Sequence, residues 1–325
     1  MSVTSMILLA ALSQQPAAPP PPPSTTKTAA TTANDALSTQ VALDRAGFSP
    51  GVLDGRAGGN TRKALDAYAK ANGGPPPAIE ATAKYRITEA DAAGPFEPEI
   101  PTDLVEQSKL KTLGYRTLLE ALAERYHATP ALLQRLNPGA TFTAGEEITV
   151  PNVDPMQLPV DAPKTEAKPT PAEKKAETQA AQQAAKEKPA VTVTVSKAIS
   201  ALTVTDAGGK VIMYAPVTTG SEHDPLPIGE WKVNGVGLNP TFRYNPELFW
   251  DANPAHSKAV IPAGPNNPVG LVWIDISKEH YGIHGSPEPA NIGRSESHGC
   301  VRLSNWDALR LAAMVKPGTP VVFRP

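Results

Sequence analysis

Cysteine is nearly absent from this chain, since Cys300 is the only one in 325 residues. A single cysteine excludes an internal disulfide and any zinc site built on paired cysteines. Two interpretations of Cys300 remain. A free cysteine is usually an inert buried thiol, but it can also be a reactive nucleophile where its surroundings activate it.

An excess of positive charge is also absent. The chain has 30 Lys and Arg against 32 Asp and Glu, a formal net charge of -2. Nucleic acid binding normally needs a basic face, so the composition argues against a nucleic-acid partner. Apolar runs are short: the longest at the start of the chain, residues 6–12, cannot span a bilayer as a helix. The sequence therefore predicts no stable membrane span.

Proline, in contrast, is concentrated in two stretches that lack large apolar residues. Residues 1–34 hold the short apolar run and then Pro19–Pro23, and we interpret them as a signal segment and a proline-rich linker, although no Lys or Arg precedes the run. Residues 154–190 mix Pro, Lys, Glu, Ala and Gln, a composition typical of a disordered linker. Because this linker has no apolar surface to dock, we expect the C-terminal domain, 191–325, to fold and act on its own.

The C-terminal domain is predicted to be mainly β, a sandwich-like fold with one helix. Residues 191–195 alternate β-branched residues, and residues 202–205 and 211–214 flank a turn, which indicates a hairpin. The helix begins after Ser304, an N-cap with Asp307 in the first turn. Residues 239–268 show few strand signals and several aromatic residues, which fits either a lid over a substrate site or a plain surface loop.

Two histidine-glycine motifs lie near the cysteine. The first is Ile283-His284-Gly285, and the second is Ser297-His298-Gly299-Cys300-Val301-Arg302. An imidazole that takes the thiol proton raises the reactive fraction of a cysteine. Gly299 permits a tight turn that could direct several backbone N–H groups at one developing oxyanion.

This pair of motifs resembles the active-site signature of YkuD-type L,D-transpeptidases, and the resemblance extends upstream over about residues 190 to 325. It implies that Cys300 is the nucleophile, His284 the general base and the Gly285 carbonyl the group that orients the imidazole. It also implies that His298, Gly299 and Cys300 donate backbone N–H groups to the oxyanion. Ser297 would brace the loop and Arg302 would support the site or bind a substrate carboxylate.

Two alternatives concern these same residues. A zinc ion could be held by His280, His284, His298 and Cys300, a chemically feasible set without a recognised zinc motif. Arg302 could instead form a structural ion pair with Asp275 or Glu296. The family resemblance implies no metal and no cofactor.

The resemblance implies a two-step acyl transfer on peptidoglycan, outside the cytoplasmic membrane in the periplasm or cell wall. The enzyme would attack a tetrapeptide stem, form a thioester and pass the acyl group to an amine of a neighbouring stem, which supports wall biogenesis and cell shape. If water resolves the thioester, the same site is an L,D-carboxypeptidase. A third interpretation is a wall-anchoring protein without activity. The sequence does not distinguish the acceptor, the diamino acid or the oligomeric state.

Two smaller units precede the catalytic domain. Residues 35–75, with helical spacing on both sides of a turn-rich loop, resemble a helical peptidoglycan-binding domain, with a plain helical spacer as the alternative. Residues 102–153 are predicted to form helices near Leu118 and after Thr129, then a strand at 147–151, and resemble the second half of an α+β LysM unit. The opening strand of a LysM unit is not recognisable in 102–153.

Overall fold

The computed structural model describes residues 26–159 and 190–325, with side chains from residue 35 onward. Most of residues 1–34, interpreted as a signal segment and linker, and most of residues 154–190, interpreted as a linker, lie outside the described residues. The described part of the first segment is helical from Thr26 and not a linker. Within the described ranges, no helix has the length and apolarity needed to cross a membrane.

Two helices form the first unit. Helix α1 spans Thr26–Arg45 and helix α2 spans Gly59–Asn72. Leu37 and Val41 are buried on one face of α1, as the sequence spacing predicts. Gly47, just past the end of α1, has φ +81°, a conformation that suits glycine after a helix.

A strand, two helices and a second strand form the next unit. Strand β1 spans Thr82–Arg86, helices α5 and α6 span Leu118–Arg125 and Pro130–Leu136, and strand β2 spans Glu147–Pro151. Thr129 caps α6 by accepting a hydrogen bond from the Leu132 amide, and β1 pairs with β2 antiparallel. The sequence predicts α5, α6 and β2 but misses β1, which lies before residue 102. Apolar and polar residues alternate only weakly in β1, because its side chains are at most partly buried.

Two short helices lie between β1 and α5. Helix α3 spans Glu89–Ala92 and helix α4 spans Leu104–Gln107. We call residues 93–116, which contain α4, the insert. The insert contacts the C-terminal domain.

The C-terminal domain is built on an eight-stranded sheet. Its strands and helix are β3 Val191–Ser196, β4 Ala201–Asp206, β5 Val211–Pro216, β6 Gly229–Leu238, β9 Val272–Ile276, β10 Gly282–His284, β11 Val301–Arg302, α7 Asn305–Met314 and β12 Pro320–Arg324. The strand order in the sheet is β11-β10-β9-β6-β12-β3-β4-β5. Ser304 caps α7 by accepting a hydrogen bond from the Asp307 amide, as predicted. The hairpin of β4 and β5 is also where the sequence places it.

The sheet curls because β6 serves both halves. Its first residues pair with β12, its later residues pair with β9, and a bulge lies at the change of partner. One apolar core contains residues from both halves together with Trp306 and Leu311 of α7. The expectation of a mainly β domain is confirmed, in the form of one curled sheet.

Residues 239–268 are not a featureless loop. They contain β7, Phe242–Tyr244, and β8, Ala259–Ile261, which pair antiparallel. We call residues 239–268 the flap. Its strands have only three residues each, too few for an alternating pattern to show in the sequence.

The N-terminal part packs directly on the C-terminal domain, which the sequence did not lead us to expect. Phe48 forms a β-bridge with Tyr214, and both rings are buried in one cluster. The Ser49 hydroxyl donates to the Asp307 carboxylate at 2.8 Å. These contacts are made by the folded units and not by the linker. The composition of the linker therefore could not predict them.

A buried ion pair strengthens this interface. Asp44 of α1 is fully buried and accepts hydrogen bonds from His127 at 3.0 Å and from Arg310 of α7 at 3.2 Å. Burial alone would raise the pKa of Asp44, but these two partners outweigh it and lower the pKa to about 2. The carboxylate is therefore charged at neutral pH and joins α1 to α7.

Candidate active site

Strands β10 and β11 bring the two motifs together. They pair in parallel, with Ile283 opposite Val301 and His284 opposite Arg302. Cys300 directly precedes β11, so the thiol lies at the end of one strand beside the strand that carries His284. The register thus brings the two motifs onto neighbouring strands, with Cys300 level with Gly282, two residues before His284 on β10.

His284 is buried and held on two sides. Its Nδ1 lies 2.7 Å from the Gly285 carbonyl oxygen, and its ring stacks on Trp273 with centroids 5.5 Å apart. A carbonyl oxygen can only accept, so Nδ1 carries the proton and Nε2 has the free lone pair. Burial, reinforced by the positive charge of Arg302, lowers the pKa of His284 to about 3. The imidazole is therefore neutral at physiological pH.

Asn305 lies directly behind the turn that follows His284. A side chain at Gly285 would place its Cβ 2.2 Å from Asn305 Oδ1, so this position requires glycine. Asn305 Oδ1 accepts from the Leu271 amide, and its Nδ2 donates to Glu124 Oε1 at 2.8 Å. Glu124, a buried residue of α5, thus connects the N-terminal part with the turn that orients the base.

Cys300 is half-buried, and its Sγ lies 3.8 Å from the His280 carbonyl oxygen. Burial raises the pKa of the thiol, which a hydrogen bond from the Gly282 backbone and the charge of Arg302 offset only in part. The resting pair is therefore a neutral thiol beside a neutral imidazole.

The loop before Cys300 is fixed by two features. The Ser297 hydroxyl donates to the Cys300 carbonyl at 2.6 Å, and the Ser297 amide donates to the Thr219 carbonyl. Gly299 has φ +95°, and a Cβ there would lie 2.6 Å from the Tyr281 ring. The turn therefore depends on glycine for both its dihedral angle and its space.

Arg302 lies on β11, two residues after the thiol, and lines the same cavity. The backbones of Arg302 and Thr218 exchange two hydrogen bonds, each amide donating to the other residue's carbonyl. Burial lowers the pKa of the Arg302 guanidinium, and the charges of Cys300 and Glu288 oppose this shift. Asp275, one predicted partner, instead accepts a hydrogen bond from Asn234.

His298 points to the flap. Its Nε2 lies 2.8 Å from Asp251 Oδ1, and its ring contacts the edge of Phe249. The nucleophile loop and the flap are therefore joined by a side-chain pair. The sequence carries no signal that Asp251 and Phe249 contact His298.

A cavity of about 1100 Å³ opens over the thiol. Of the predicted site residues, His284, His298, Cys300 and Arg302 line it, whereas Gly285, Ser297 and Gly299 support it from behind. The flap contributes a large part of the lining, including Phe242, Tyr244, Phe249, Asp251 and His256. Among residues 26–159 and 190–325, no three His, Cys, Asp or Glu side chains converge as metal ligands.

Comparison with known proteins agrees with this geometry. The family profile of the YkuD L,D-transpeptidase catalytic domain matches residues 190–323. YkuD of Bacillus subtilis strain 168 is 26% identical over 209 residues, which cover 63% of this chain and 92% of YkuD. YbiS of Escherichia coli K12 is 36% identical over 121 residues, 36% of this chain and 39% of YbiS. Both are named as L,D-transpeptidases.

Solved structures show likeness over a part of the chain. The L,D-transpeptidase from Mycobacterium smegmatis is 19% identical with a TM-score of 0.35, over 42% of this chain and 59% of that one. L,D-transpeptidase 3 from Mycobacterium tuberculosis, in complex with a faropenem-derived adduct, is 20% identical with a TM-score of 0.35, over 42% of this chain and 61% of that one. The chain therefore spans about 60% of the length of these two structures.

With the family profile and the curated relatives in agreement, the C-terminal domain is an L,D-transpeptidase catalytic domain. Within that class it is of the YkuD type.

Proposed function

We propose that this protein is a peptidoglycan L,D-transpeptidase that works through a thioester on Cys300. The observation that supports the proposal most is the neutral, buried His284, oriented by Gly285 on the strand that pairs with β11, which begins directly after Cys300. A neutral imidazole with a free Nε2 lone pair can accept the thiol proton.

In the first step, the Cys300 sulfur attacks the carbonyl of the third residue of a tetrapeptide donor stem while its proton moves to His284 Nε2. Because the pKa of the thiol is raised and that of His284 is lowered to about 3, a separate proton transfer would be strongly unfavourable. We therefore propose that the transfer accompanies the formation of the carbon–sulfur bond. The oxyanion receives backbone N–H groups from His298, Gly299 and Cys300.

Collapse of the tetrahedral intermediate breaks the peptide bond. The imidazolium returns its proton to the departing amine, terminal D-alanine leaves, and the acyl group remains on sulfur as a thioester. An amine of a neighbouring stem then attacks, His284 takes a proton from it, and the thiolate is released and reprotonated. If water attacks instead, the product is the trimmed stem of an L,D-carboxypeptidase.

Mass spectrometry of the protein and its products tests this proposal. With a tetrapeptide-containing muropeptide or a carbapenem, we expect added mass on Cys300 and, with muropeptide, cross-linked dimers. Trimmed stems alone would establish the carboxypeptidase. A Cys300→Ala protein that still turns over muropeptide would refute the thioester mechanism, and an inactive wild-type protein would leave only the wall-anchoring interpretation.

The strand–helix–helix–strand unit supports a second role, binding of wall glycan by a LysM-like unit that we extend to residues 82–153. A cavity of about 520 Å³ lies between the start of α5 and the loop after α6, lined by Thr117, Gln134 and Phe142 among others. Gln134 is exposed there. If the cavity binds glycan, Gln134→Ala should weaken binding to isolated sacculi, and unchanged binding would refute this role.

The first unit, residues 35–75, belongs to the same proposal as a wall-binding helical domain. A protein acting on this substrate works in the periplasm or cell wall, to which residues 1–34 would direct it. Fractionation of cells that express the full chain tests the location, and recovery of all of the protein in the cytosol would contradict it.

A further inference from the structure

The insert, residues 93–116, leaves the strand–helix–helix–strand unit and lies against the flap. Leu113 of the insert is fully buried together with Tyr244 and Ile261 of the flap strands. Leu104, Val105 and Leu110 pack on the same cluster. The apolar face of the flap is thus covered by residues from outside the catalytic domain.

The two backbones also touch. The Leu113 amide donates to the Ala263 carbonyl at 3.0 Å, and the Asn266 amide donates to the Leu113 carbonyl at 3.0 Å. A Cβ at Gly264 would lie 2.2 Å from the Leu113 oxygen, so this approach requires glycine. Backbone contact at this distance fixes the base of the flap relative to the insert.

A polar chain holds the flap farther along. Asp103 caps α4 by accepting from the Val105 and Glu106 amides, and its second oxygen lies 2.9 Å from His256 Nε2. His256 Nδ1 lies 3.0 Å from the Tyr244 hydroxyl. An ionised carboxylate only accepts, so His256 donates from Nε2 and accepts the tyrosine proton at Nδ1. Asp103 thereby sets the tautomer of His256 and the orientation of Tyr244.

The insert reaches the active-site cavity itself. Thr102, Asp103 and Leu104 line the same cavity as Cys300 and His284. Thr102 is exposed, so its side chain faces open space.

We propose that the insert is part of the active site. Residues 102–104 form one wall of the substrate cavity, and the Asp103–His256–Tyr244 chain positions the flap beside Cys300. A segment from outside the catalytic domain therefore determines which peptides reach the thiol. The selection of stem peptides by the insert rests on the proposed function. The position of residues 102–104 in the cavity wall can be tested without turnover.

Labelling of Cys300, the only cysteine in the chain, provides that test. In the full-length protein, Thr102→Trp adds bulk inside the cavity without removing the cap or the apolar contacts of the insert. Lys109→Trp is the matched control, because Lys109 is an exposed insert residue that does not line the cavity. The two reagents are iodoacetamide, which is small, and fluorescein maleimide, which is large.

We expect Thr102→Trp to slow the large reagent at least about tenfold relative to iodoacetamide, with Lys109→Trp equal to wild type. Equal reagent ratios in all three proteins would overturn the proposal. Unfolding temperatures identify a variant that fails to fold, in which case Thr102→Phe replaces it under the same criterion.

Turnover of muropeptides separates the two proposals. With an active wild type, Thr102→Trp and Asp103→Ala should raise KM about tenfold while kcat changes little, and Asp103→Asn, which keeps the cap, should recover part of the loss. Unchanged KM in both variants would overturn the role of the insert. If the wild type makes no product, the proposed function is refuted. A labelling difference between Thr102→Trp and wild type would still support residues 102–104 as a wall of the cavity.

Discussion

The nucleophile wall of the cavity and its flap wall are held in different ways. Cys300 and His284 are positioned by backbone pairing within one sheet, over a short stretch of sequence. The flap is positioned by side-chain and backbone contacts with the insert, more than 100 residues away in sequence, as in the Arg116 to Asn266 hydrogen bond. The comparison indicates that the candidate catalytic residues are positioned locally, whereas the shape of the cavity depends on the rest of the chain.

The largest expected effect lies on the nucleophile wall. His284→Ala should fold normally and lose about 10² to 10⁴ in kcat, because a general base contributes about that much. His298→Ala should lose far less, since His298 bonds Asp251 of the flap. Steady-state kinetics on muropeptides measures both. A larger loss in His298→Ala than in His284→Ala would reverse the roles of the two histidines.

The next effect tests how strongly the N-terminal part supports the domain. Asp44→Ala leaves His127 without its buried partner and leaves Arg310 only the longer contact to Asp307 at 3.6 Å, so we expect the free energy of unfolding to fall by about 3 to 5 kcal/mol. Chemical denaturation of the full chain measures it, with Asp35→Ala, an exposed residue of α1, as control. Equal stability of the two variants would show that this interface does not stabilise the domain.

The smallest effect concerns the pH dependence of stability. Burial raises the pKa of Glu124 to about 7, although hydrogen bonds from Tyr115 and Asn305 oppose the shift. Between the lower pKa of Glu124 in the unfolded chain and its pKa of about 7 in the folded protein, only the folded protein keeps the proton. Protonation of Glu124 therefore stabilises the folded protein fully in acid, and this contribution is lost as pH rises through about 7. From pH 5 to pH 8 we expect the free energy of unfolding to fall by roughly 3 kcal/mol, since one unit of pKa shift corresponds to about 1.4 kcal/mol.

Glu124→Gln keeps an oxygen and a neutral side chain, so its free energy of unfolding should vary less with pH than that of wild type. Denaturation curves at pH 5 and pH 8 measure the difference. Asp44 does not interfere, because its pKa of about 2 confines its effect to more acidic solutions. Identical pH dependence in Glu124→Gln and wild type would show that Glu124 does not titrate in this range.

Much of the site could be predicted because its residues form a compact motif. The sequence around Cys300 indicates the family, and the structure brings His284 and Cys300 to neighbouring strands as that resemblance implies. Ser304 and Thr129 were predictable as helix caps because capping is a local interaction. Asn305, Glu124 and Asp251 were not, because each acts through a partner distant in sequence.

The sequence by itself determined the type of catalytic domain and the positions of its longer strands and its helix. Those features depend on local patterns of apolar residues, caps and motif spacing. Only the tertiary structure decided that the N-terminal part packs on the catalytic domain and that the insert lines the cavity. Short strands such as β7 and β8 and contacts such as Asp103 to His256 leave no periodic signal, since they arise when separate segments meet.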